Sequence, residues 1–498
     1  MKRYLFIAAF SLTAAALHAQ QNLNTPEDAV RYATGNLNGT ARFRAMSGAF
    51  GALGGDMSAI NVNPAGSAVF NYNTATISLT NYNISNKSDY FGTGTKDNDS
   101  SLELNQLGAV FVYNNTKENA TIKKFAIAFN YENTDNLDNS FFSAGYNPNN
   151  SIDQYFLRYA NGIGNEGGIY LSTLNNSYYE DLSFIDQQAF LGYNAYIFNP
   201  DTSSPDNTTY SSNVPAGPYY NENSISTRGY NGKVAFNFAM QIENWLYLGA
   251  NLNAHFTDYI KTSSLYEDYA NPTTGLEAVR FNNRRYTYGG GFSFNVGAIA
   301  KATESLRFGL AYESPTWYRL QDEITQNIIA RNNGSNIVTD PGITFILDDY
   351  GLKTPGKYTG SLAYIFGGSG LISFDYSLKD YSQTKYTSSG YGSINSELEN
   401  SLDTASEFRV GAEYRIKFLS LRGGYRYEQS PYKNGYTVGD LTGWSAGLGF
   451  TFNNSRFDLA YSYFERKSNA PLLTAGLTDS ARINSSNNNV TLSYTLDL

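Results

Sequence analysis

Between Val69 and Leu498, apolar and polar residues alternate with a period of two along most of the chain. Val234, Phe236, Phe238, Met240 and Ile242 share one face of such a run, and Lys233, Ala235, Asn237, Ala239 and Gln241 share the other. The pattern recurs from Leu246 to Phe256, from Phe408 to Ile416 and from Trp444 to Phe452. Period two predicts strands with two chemically different faces. A water-soluble sandwich and a lipid-facing wall both satisfy it, and run length separates them. Many runs exceed the ~5–6 residues usual in soluble strands and reach the ~9–11 that a tilted membrane strand needs.

Connections alternate as well. Short turns fall near Asn115–Thr121, Ile242–Glu243, Thr303–Glu304, Gly367–Ser369, Lys417–Phe418 and Asn453–Asn454. Between them lie long polar stretches: Ser85–Ser101, Thr134–Ser224, Asp268–Gly275, Gln321–Pro355, Gln383–Asp403, Ser430–Leu441 and Ser468–Ser485. Short turns on one rim and long loops on the other predict an outer-membrane barrel. The runs number fourteen, starting near Phe70, Glu103, Ile122, Ser224, Asn244, Leu276, Ser305, Gly356, Gly370, Thr404, Leu419, Leu441, Ser455 and Ile483. The expected fold is all-β: a 14-stranded antiparallel transmembrane β-barrel spanning residues 69–498, closed because hydrocarbon leaves no partner for an open sheet edge.

The first residues differ in kind. Lys2 and Arg3 precede an apolar stretch from Tyr4 to Leu17, and Ala19 supplies a small residue for cleavage. Residues 1–19 are expected to be a signal peptide, being short for a spanning anchor. The net charge of −9 becomes two units more negative when Lys2 and Arg3 leave, which argues against nucleic acid as a partner. The chain has no cysteine and, past the leader, one histidine, His255, which parity turns toward the lumen. That excludes a Cys/His metal site or a Ser-His-acid triad built on a loop, so no enzyme activity, cofactor or metal is expected. Loop carboxylates leave Ca²⁺ open, but no spacing demands it.

Residues 20–68 break the alternation. Gly51 to Gly66 reads GALGGDMSAINVNPAG, too glycine-rich for a stable helix and too irregular for a strand. It is expected to fill the barrel as a plug, or hatch, with Gly54, Gly55, Asp56, Asn61, Asn63, Pro64, Ala65 and Gly66 at its centre. On the inward strand faces stand Arg307, Glu313, Arg409, Glu413, Arg415, Arg422, Arg426 and Glu428. These charges either line a solvated lumen or grip the hatch by charge-assisted hydrogen bonds; Arg409, Glu413, Arg422 and Arg426 are the candidates for gripping it.

The longest connection, 134–224, is expected to be extracellular and partly helical. Ser151-Ile152-Asp153-Gln154 has the form of a capping box. Ile152, Tyr155, Phe156 and Tyr159 follow at helical spacing, and Phe184 and Phe190 lie in a second aromatic stretch. These aromatics either pack the loop onto itself or offer an apolar landing site. Leu23, Phe156, Tyr159, Phe184 and Phe190 are the candidate ligand-binding residues.

The hatch and barrel together resemble the FadL family of outer-membrane transporters for long-chain fatty acids and other hydrophobic compounds. The resemblance rests on Arg44-Ala45-Met46-Ser47-Gly48-Ala49-Phe50-Gly51-Ala52, Gly55-Asp56 and Asn63-Pro64-Ala65-Gly66. It continues in Phe294–Ala298, Ser305–Pro315, Leu421–Tyr425, Ser430-Pro431 and Trp444–Gly447. Gly54-Gly55 precedes a single acid, Asp56, where members often carry two adjacent acids. The resemblance implies a hydrophobic small-molecule ligand, a ligand-triggered shift of the hatch, and lateral release into outer-membrane lipid by a monomer of the Gram-negative cell outer membrane. Some barrels of this type serve instead as secretion-system shuttles or surface adhesins. An aqueous porin fits less well, because the N-terminal segment can plug the lumen.

Overall fold

The computed structural model describes residues 24–117, 119–163, 167–270 and 274–498. The expected leader and Leu23 lie outside the described residues. Fourteen antiparallel strands form the wall. They are β1 (Thr74–Tyr90), β2 (Thr93–Asn114), β3 (Ile122–Asn136, resuming as Asn139–Asn147), β4 (Tyr219–Ile242), β5 (Leu246–Tyr269), β6 (Leu276–Lys301) and β7 (Leu306–Glu313, resuming as Trp317–Asn332). β8 is broken into Ser335–Thr339, Phe345–Ile346, Tyr350–Lys353 and Lys357–Ile365. The wall continues with β9 (Gly370–Asp380), β10 (Thr404–Ile416), β11 (Leu419–Glu428), β12 (Val438–Phe452), β13 (Ser455–Pro471) and β14 (Ser480–Asp497). β14 pairs with β1 from Asp497 opposite Thr74 to Arg482 opposite Asp89, which closes the sheet.

The distribution of side chains is inverted relative to a soluble protein. Along β1, Thr74, Thr76, Ser78 and Thr80 are buried, whereas Ile77 and Leu79 are exposed. Phe129, Phe238, Leu252, Phe308, Phe374, Leu448 and Leu492 likewise stand exposed on the outer face. A closed belt of exposed apolar side chains around a polar interior is stable only in lipid. Among the described residues no helix is long and apolar enough to cross a membrane; the crossing is made by strands.

Two stretches expected as loops are strands. Ser85–Ser101 belongs to β1 and β2, which turn at Phe91 (φ 48°) and Gly92 (φ 82°). Gln321–Pro355 belongs to β7 and β8, turning at Asn333 (φ 48°) and Gly334 (φ 75°). Both turns have the paired positive φ of a tight hairpin. These hairpin arms are polar because they rise beyond the bilayer, where strand pairing persists without an apolar face. β6 alone has 26 residues, far more than the ~9–11 that cross lipid.

Inside the barrel lie helix α1 (Pro26–Ala33), helix α2 (Ala41–Ala45) and two 3₁₀ turns, Ser58–Asn61 and Pro64–Val69. Thr25 and Asp28 form a reciprocal capping box and Pro26 opens α1, so Thr-Pro-Glu-Asp fixes where the helix begins. Gly54 (φ 63°) crosses Gly66 so closely that a Cβ on Gly54 would stand 2.8 Å from the Gly66 Cα. Only glycine satisfies both constraints.

The connection between β3 and β4 carries α3 (Asp153–Ala160), α4 (Leu171–Asn176) and α5 (Phe184–Asn194). Its own core includes Ile152, Phe156, Leu174, Leu191 and Phe198, and it packs on Phe281 and Ile328 of the wall. The expected capping box at Ser151–Gln154 is not formed. Buried Glu267 of β5 takes the Ser151 hydroxyl and the Ile152 N–H (3.1 Å) instead, so α3 starts at Asp153 without a side-chain cap.

Candidate functional site

The lumen is divided into levels. At the extracellular mouth is a cavity of about 370 Å³. Phe141, Tyr155, Phe184, Ile225, Phe281 and Ile324 give it an apolar side, and Leu472 and Leu473 of the β13–β14 connection face them. Its floor is α1, through Thr25, Glu27, Asp28 and Arg31, with Lys261 and Arg285 beside it on β5 and β6. An apolar chamber with a few convergent polar groups is the usual form of a small-molecule site.

α1 is tied down by side chains at its N-terminal end. Arg285 Nη1 donates to Asp28 Oδ2 (2.9 Å) and its Nη2 to Asp322 (2.7 Å). Asn24 donates to the Tyr391 hydroxyl (3.0 Å), and the Tyr386 hydroxyl donates to the Thr25 carbonyl (3.3 Å). The Arg31 guanidinium lies 4.0 Å over the Tyr259 ring. Burial alone would raise the Asp28 carboxyl; Arg285, Arg31 and Lys261 reverse that and hold it well below the usual carboxylate range.

Below α1 are two more cavities. One, of about 180 Å³, is polar and lined by Glu132, Lys233, His255, Glu313, Lys357, Lys379, Glu407 and Arg409 among others. The other, of about 300 Å³, reaches from Arg31 and Tyr259 to Leu37, Tyr82, Ile84, Leu137 and Phe464. It abuts a discontinuity in the wall. The β2–β3 ladder ends at Gln106 opposite Glu132. β3 bulges between Asn133 and Asp135, breaks at residues 137–138, and above that pairs only with β4. Side-chain bonds cross the gap between β3 and β2, among them Asn136 to Ser101 (2.8 Å) and Thr95 to the Phe142 carbonyl, and Asn86 of β1 reaches Asn139 (2.6 Å).

The hatch is bolted around the wall. The Phe50 and Gly51 N–H groups donate to Asp375 of β9 at 3.0 Å each. Asn63 donates to the Gly51 carbonyl (2.7 Å) and to the Ala298 carbonyl of β6 (3.0 Å). Asn237 donates to the Pro64 carbonyl (2.9 Å) and Asn251 to the Ile60 carbonyl (2.8 Å). The Ala41 N–H reaches Ser493 (2.7 Å), and Ser47 meets Ser445 (2.8 Å). Small wall residues make room: a Cβ on Gly309 would lie 2.2 Å from the Gly51 carbonyl oxygen, and one on Gly447 2.5 Å from the Ala45 Cβ.

Of the four wall charges expected to grip the hatch, only Glu413 bonds to it, accepting from Arg42 Nε at 2.9 Å. Arg422 acts one step away, on Glu413 (2.7 Å) and Asp458 (2.6 Å). Arg409 abuts Gly48, but its ion-pair partner is Glu407 of its own strand. Arg426 pairs with Glu428 at 3.8 Å and stands over Phe464. The hatch polar groups serve mostly the hatch itself. Asp56 accepts from Thr40 (2.7 Å) and the Ser58 N–H (3.0 Å), and no wall arginine reaches it. The Asn61 amide faces buried Glu132 of β3, on whose carboxylate it acts as a hydrogen-bonding neighbour. Ala65 and Gly66 are buried where the chain passes Gly54 and the β4–β6 wall. Arg307, read as a lumen charge, does hold the hatch, donating to the Leu53 carbonyl (3.1 Å). The residues that sequence missed are Asp375, Asn237, Asn251, Ser445 and Ser493. Their inward parity was legible, but nothing in it marks which part of a folded plug they meet.

Among the candidate ligand residues, Phe184 lines the upper cavity, joined by Tyr155. Phe156, Tyr159 and Phe190 do not line it. Phe156 and Tyr159 are buried in the core of the extracellular loop, and Phe190 packs against that core, its ring 5.8 Å from Tyr179. A helix supplies only one face to a cavity, so aromatics at helical spacing divide between ligand and core. His255 bonds to Ser293 (2.8 Å) and faces Tyr318 within the wall.

Solved structures share this architecture. The Pseudomonas putida toluene transporter TodX aligns over 93% of this chain and 99% of its own, at 15% identity and a TM-score of 0.51. A FadL homologue of Pseudomonas aeruginosa aligns over 93% of this chain and 100% of its own, at 13% identity and a TM-score of 0.51. At such identities the likeness is one of fold. No curated protein matches the chain by sequence. The family model described as outer membrane protein transport protein (OMPP1/FadL/TodX) matches residues 202–495, more than half of the chain. The chain therefore belongs to the OMPP1/FadL/TodX family of outer-membrane transport proteins.

Proposed function

We propose that the protein carries hydrophobic or amphiphilic small molecules across the outer membrane of a Gram-negative-type envelope. The carrying observation is the apolar-sided cavity at the mouth, floored by α1 and followed at the next level by the discontinuity between β2 and β3. A ligand enters the upper cavity, α1 moves aside, and the ligand leaves through the β2–β3 gap into lipid. Sideways exit keeps an alkyl chain out of water, worth roughly 0.8 kcal/mol per CH₂. The name of one structural neighbour, a toluene transporter, supports an apolar ligand.

The moving part in this reading is α1 rather than the rest of the hatch, residues 41–69, below it. The hatch is bonded to β4, β5, β6, β7, β9, β10, β12 and β14. The polar cavity between α1 and the hatch would also be a poor path for an apolar ligand. Uptake of labelled fatty acid and of labelled toluene, wild type against deletion, tests the function; Ile324→Trp, which fills the upper cavity, is expected to match the deletion. Equal uptake in all strains, with a protein lost from the cell surface of the deletion, would instead support a secretion-shuttle role.

A further inference from the structure

The outward face of β3 to β6 does not end where the lipid does. On β5 it presents Leu248, Leu252 and Phe256, which fill the ~9–11 residues that cross the bilayer, and then an acid, Asp258. From Phe256 to Tyr266 the same face climbs about 25 Å further. There it carries a patch set in register across four strands. Tyr146 of β3 stands opposite Tyr220 of β4, and Tyr220 opposite Asp268 of β5. One row down, Glu222 stands opposite Tyr266, and Tyr266 opposite Arg280 of β6. The Tyr146 and Tyr220 rings are 5.1 Å apart, and Tyr146 is 59% exposed. The Tyr220 hydroxyl donates to Glu222 (3.1 Å) and the Tyr266 hydroxyl to Asp268 (2.9 Å), so each ring is held by an acid of its own strand. Arg280 lies 4.8 Å over the Tyr266 ring and donates to Ser264 (3.1 Å). Neither Glu222 nor Arg280 has an ion-pair partner among the described residues.

Rings fixed on a sheet, with carboxylates and a guanidinium at their edges, match a sugar. The C–H face of a pyranose lies on an electron-rich aromatic face, and its hydroxyls and acidic substituents meet the charged groups. The six residues include no aliphatic side chain, so they form neither an acyl-chain groove nor the desolvated apolar centre of a protein hot spot. Position fixes the source. The patch is the upward continuation of the face that contacts lipid, so the layer standing against it is the head-group layer of the outer leaflet. We propose that Tyr146, Tyr220 and Tyr266, with Glu222, Asp268 and Arg280, dock the saccharide head group of an outer-leaflet glycolipid against the outside of the barrel. Between the outward residues, the same strands turn Glu267 and Phe281 inward, where Glu267 holds the start of α3 and Phe281 lines the upper cavity. A saccharide docked outside therefore braces the strands that carry that cavity.

Native mass spectrometry of the full chain released from nanodiscs reads the docked lipid. The discs are phosphatidylcholine doped with rough lipopolysaccharide, which carries a core oligosaccharide, or with the same lipid stripped to lipid A. The rough form is expected to stay bound, and lipid A to be retained about tenfold less. Tyr220→Ala with Tyr266→Ala is expected to lower retention of the rough form about tenfold, to the level of lipid A. Glu222→Gln keeps both rings and is expected to lower it about threefold; it decides the matter if the double variant lacks the gel mobility of a folded barrel. Free core oligosaccharide is expected to displace the rough form only at about millimolar concentration, the effective concentration of a tethered head group. Equal retention of the rough form and lipid A, or unchanged retention in the folded variants, overturns the proposal. Displacement by micromolar oligosaccharide overturns the membrane-borne source, and a mass of two chains without glycolipid overturns the saccharide in favour of a second copy.

Discussion

Replacing Glu413 by Gln tests whether charge fixes the hatch. The Glu413 side chain is 1% exposed and accepts from Arg42 Nε (2.9 Å), Arg422 Nε (2.7 Å) and Arg415 Nε (2.7 Å). Its removal is not shared equally. Arg415 is 45% exposed and returns to water, a loss of at most about 1 kcal/mol. Arg422 keeps Asp458 at 2.6 Å. Arg42, 7% exposed, retains only the Gly55 carbonyl at 3.1 Å. Leaving a buried charge without its partner costs about 3–5 kcal/mol, and the amide oxygen of Gln recovers part of it, so Glu413→Gln is expected near 3 kcal/mol. The double variant with Arg42→Met is expected to be more stable than Glu413→Gln alone, because the stranded cation is gone. Urea titration of the folded barrel in micelles, followed by gel mobility and by fluorescence of the three tryptophans, gives the free energies; planar-bilayer conductance shows whether the lumen opens. A loss below about 1 kcal/mol, or strictly additive single and double variants, would refute charge anchoring.

Other consequences follow from the same contacts. Gly309→Ala places a Cβ 2.2 Å from the Gly51 carbonyl oxygen, so it is expected to unseat that edge of the hatch at about 1–3 kcal/mol and to raise conductance. Asn63→Ala removes donors to the Gly51 and Ala298 carbonyls and the acceptor of the Ala65 N–H; a loss of about 1–3 kcal/mol is expected in the same urea titration. Because the folded Asp28 carboxyl is depressed below its unfolded value, its contribution to α1 docking is complete above about pH 4 and is lost as pH falls further. A nitroxide at Glu27→Cys should therefore report constant α1 mobility from pH 8 to 5 and rising mobility only in stronger acid, and a change centred near neutrality would contradict this. Disulfide bridging of Asn136→Cys to Ser101→Cys, across a 2.8 Å side-chain bond, is expected to block uptake without changing ligand binding in the upper cavity; undiminished uptake would exclude the β2–β3 gap as the exit.

The wall was legible because every membrane strand obeys the same local rule. Leu246–Phe256 and Trp444–Phe452 show it to the eye, and each strand's inward parity followed. The rule fails outside the bilayer. Ser85–Ser101 is polar on both faces, and in Gln321–Pro355 the inward apolar residues Ile324 and Ile328 are separated by polar ones on an outer face that never meets lipid, so both resemble loops, although Asn333-Gly334 carried a hairpin signal. Inside the lumen, parity identified Glu413 and Arg307 as inward charges, yet Arg409 and Arg426, of the same parity, serve their own strands. Which charge meets the hatch depends on where Arg42 and Leu53 come to rest, and no local pattern contains that.

By itself, the sequence determined the number of strands, the face each presents to lipid, the presence of an irregular plug and an aromatic, partly helical loop above it. These depend on period, turn chemistry and composition, which act within a few residues. Tertiary structure alone decided that Asp28 meets Arg285 across 257 positions, that Phe184 faces a cavity while Phe156 and Tyr159 are buried in loop core, and that the wall is discontinuous between β2 and β3. Each of these arises from segments far apart in the chain brought together when the barrel closes. Closure is a property of the whole sheet, and what it encloses is fixed only once β14 has found β1.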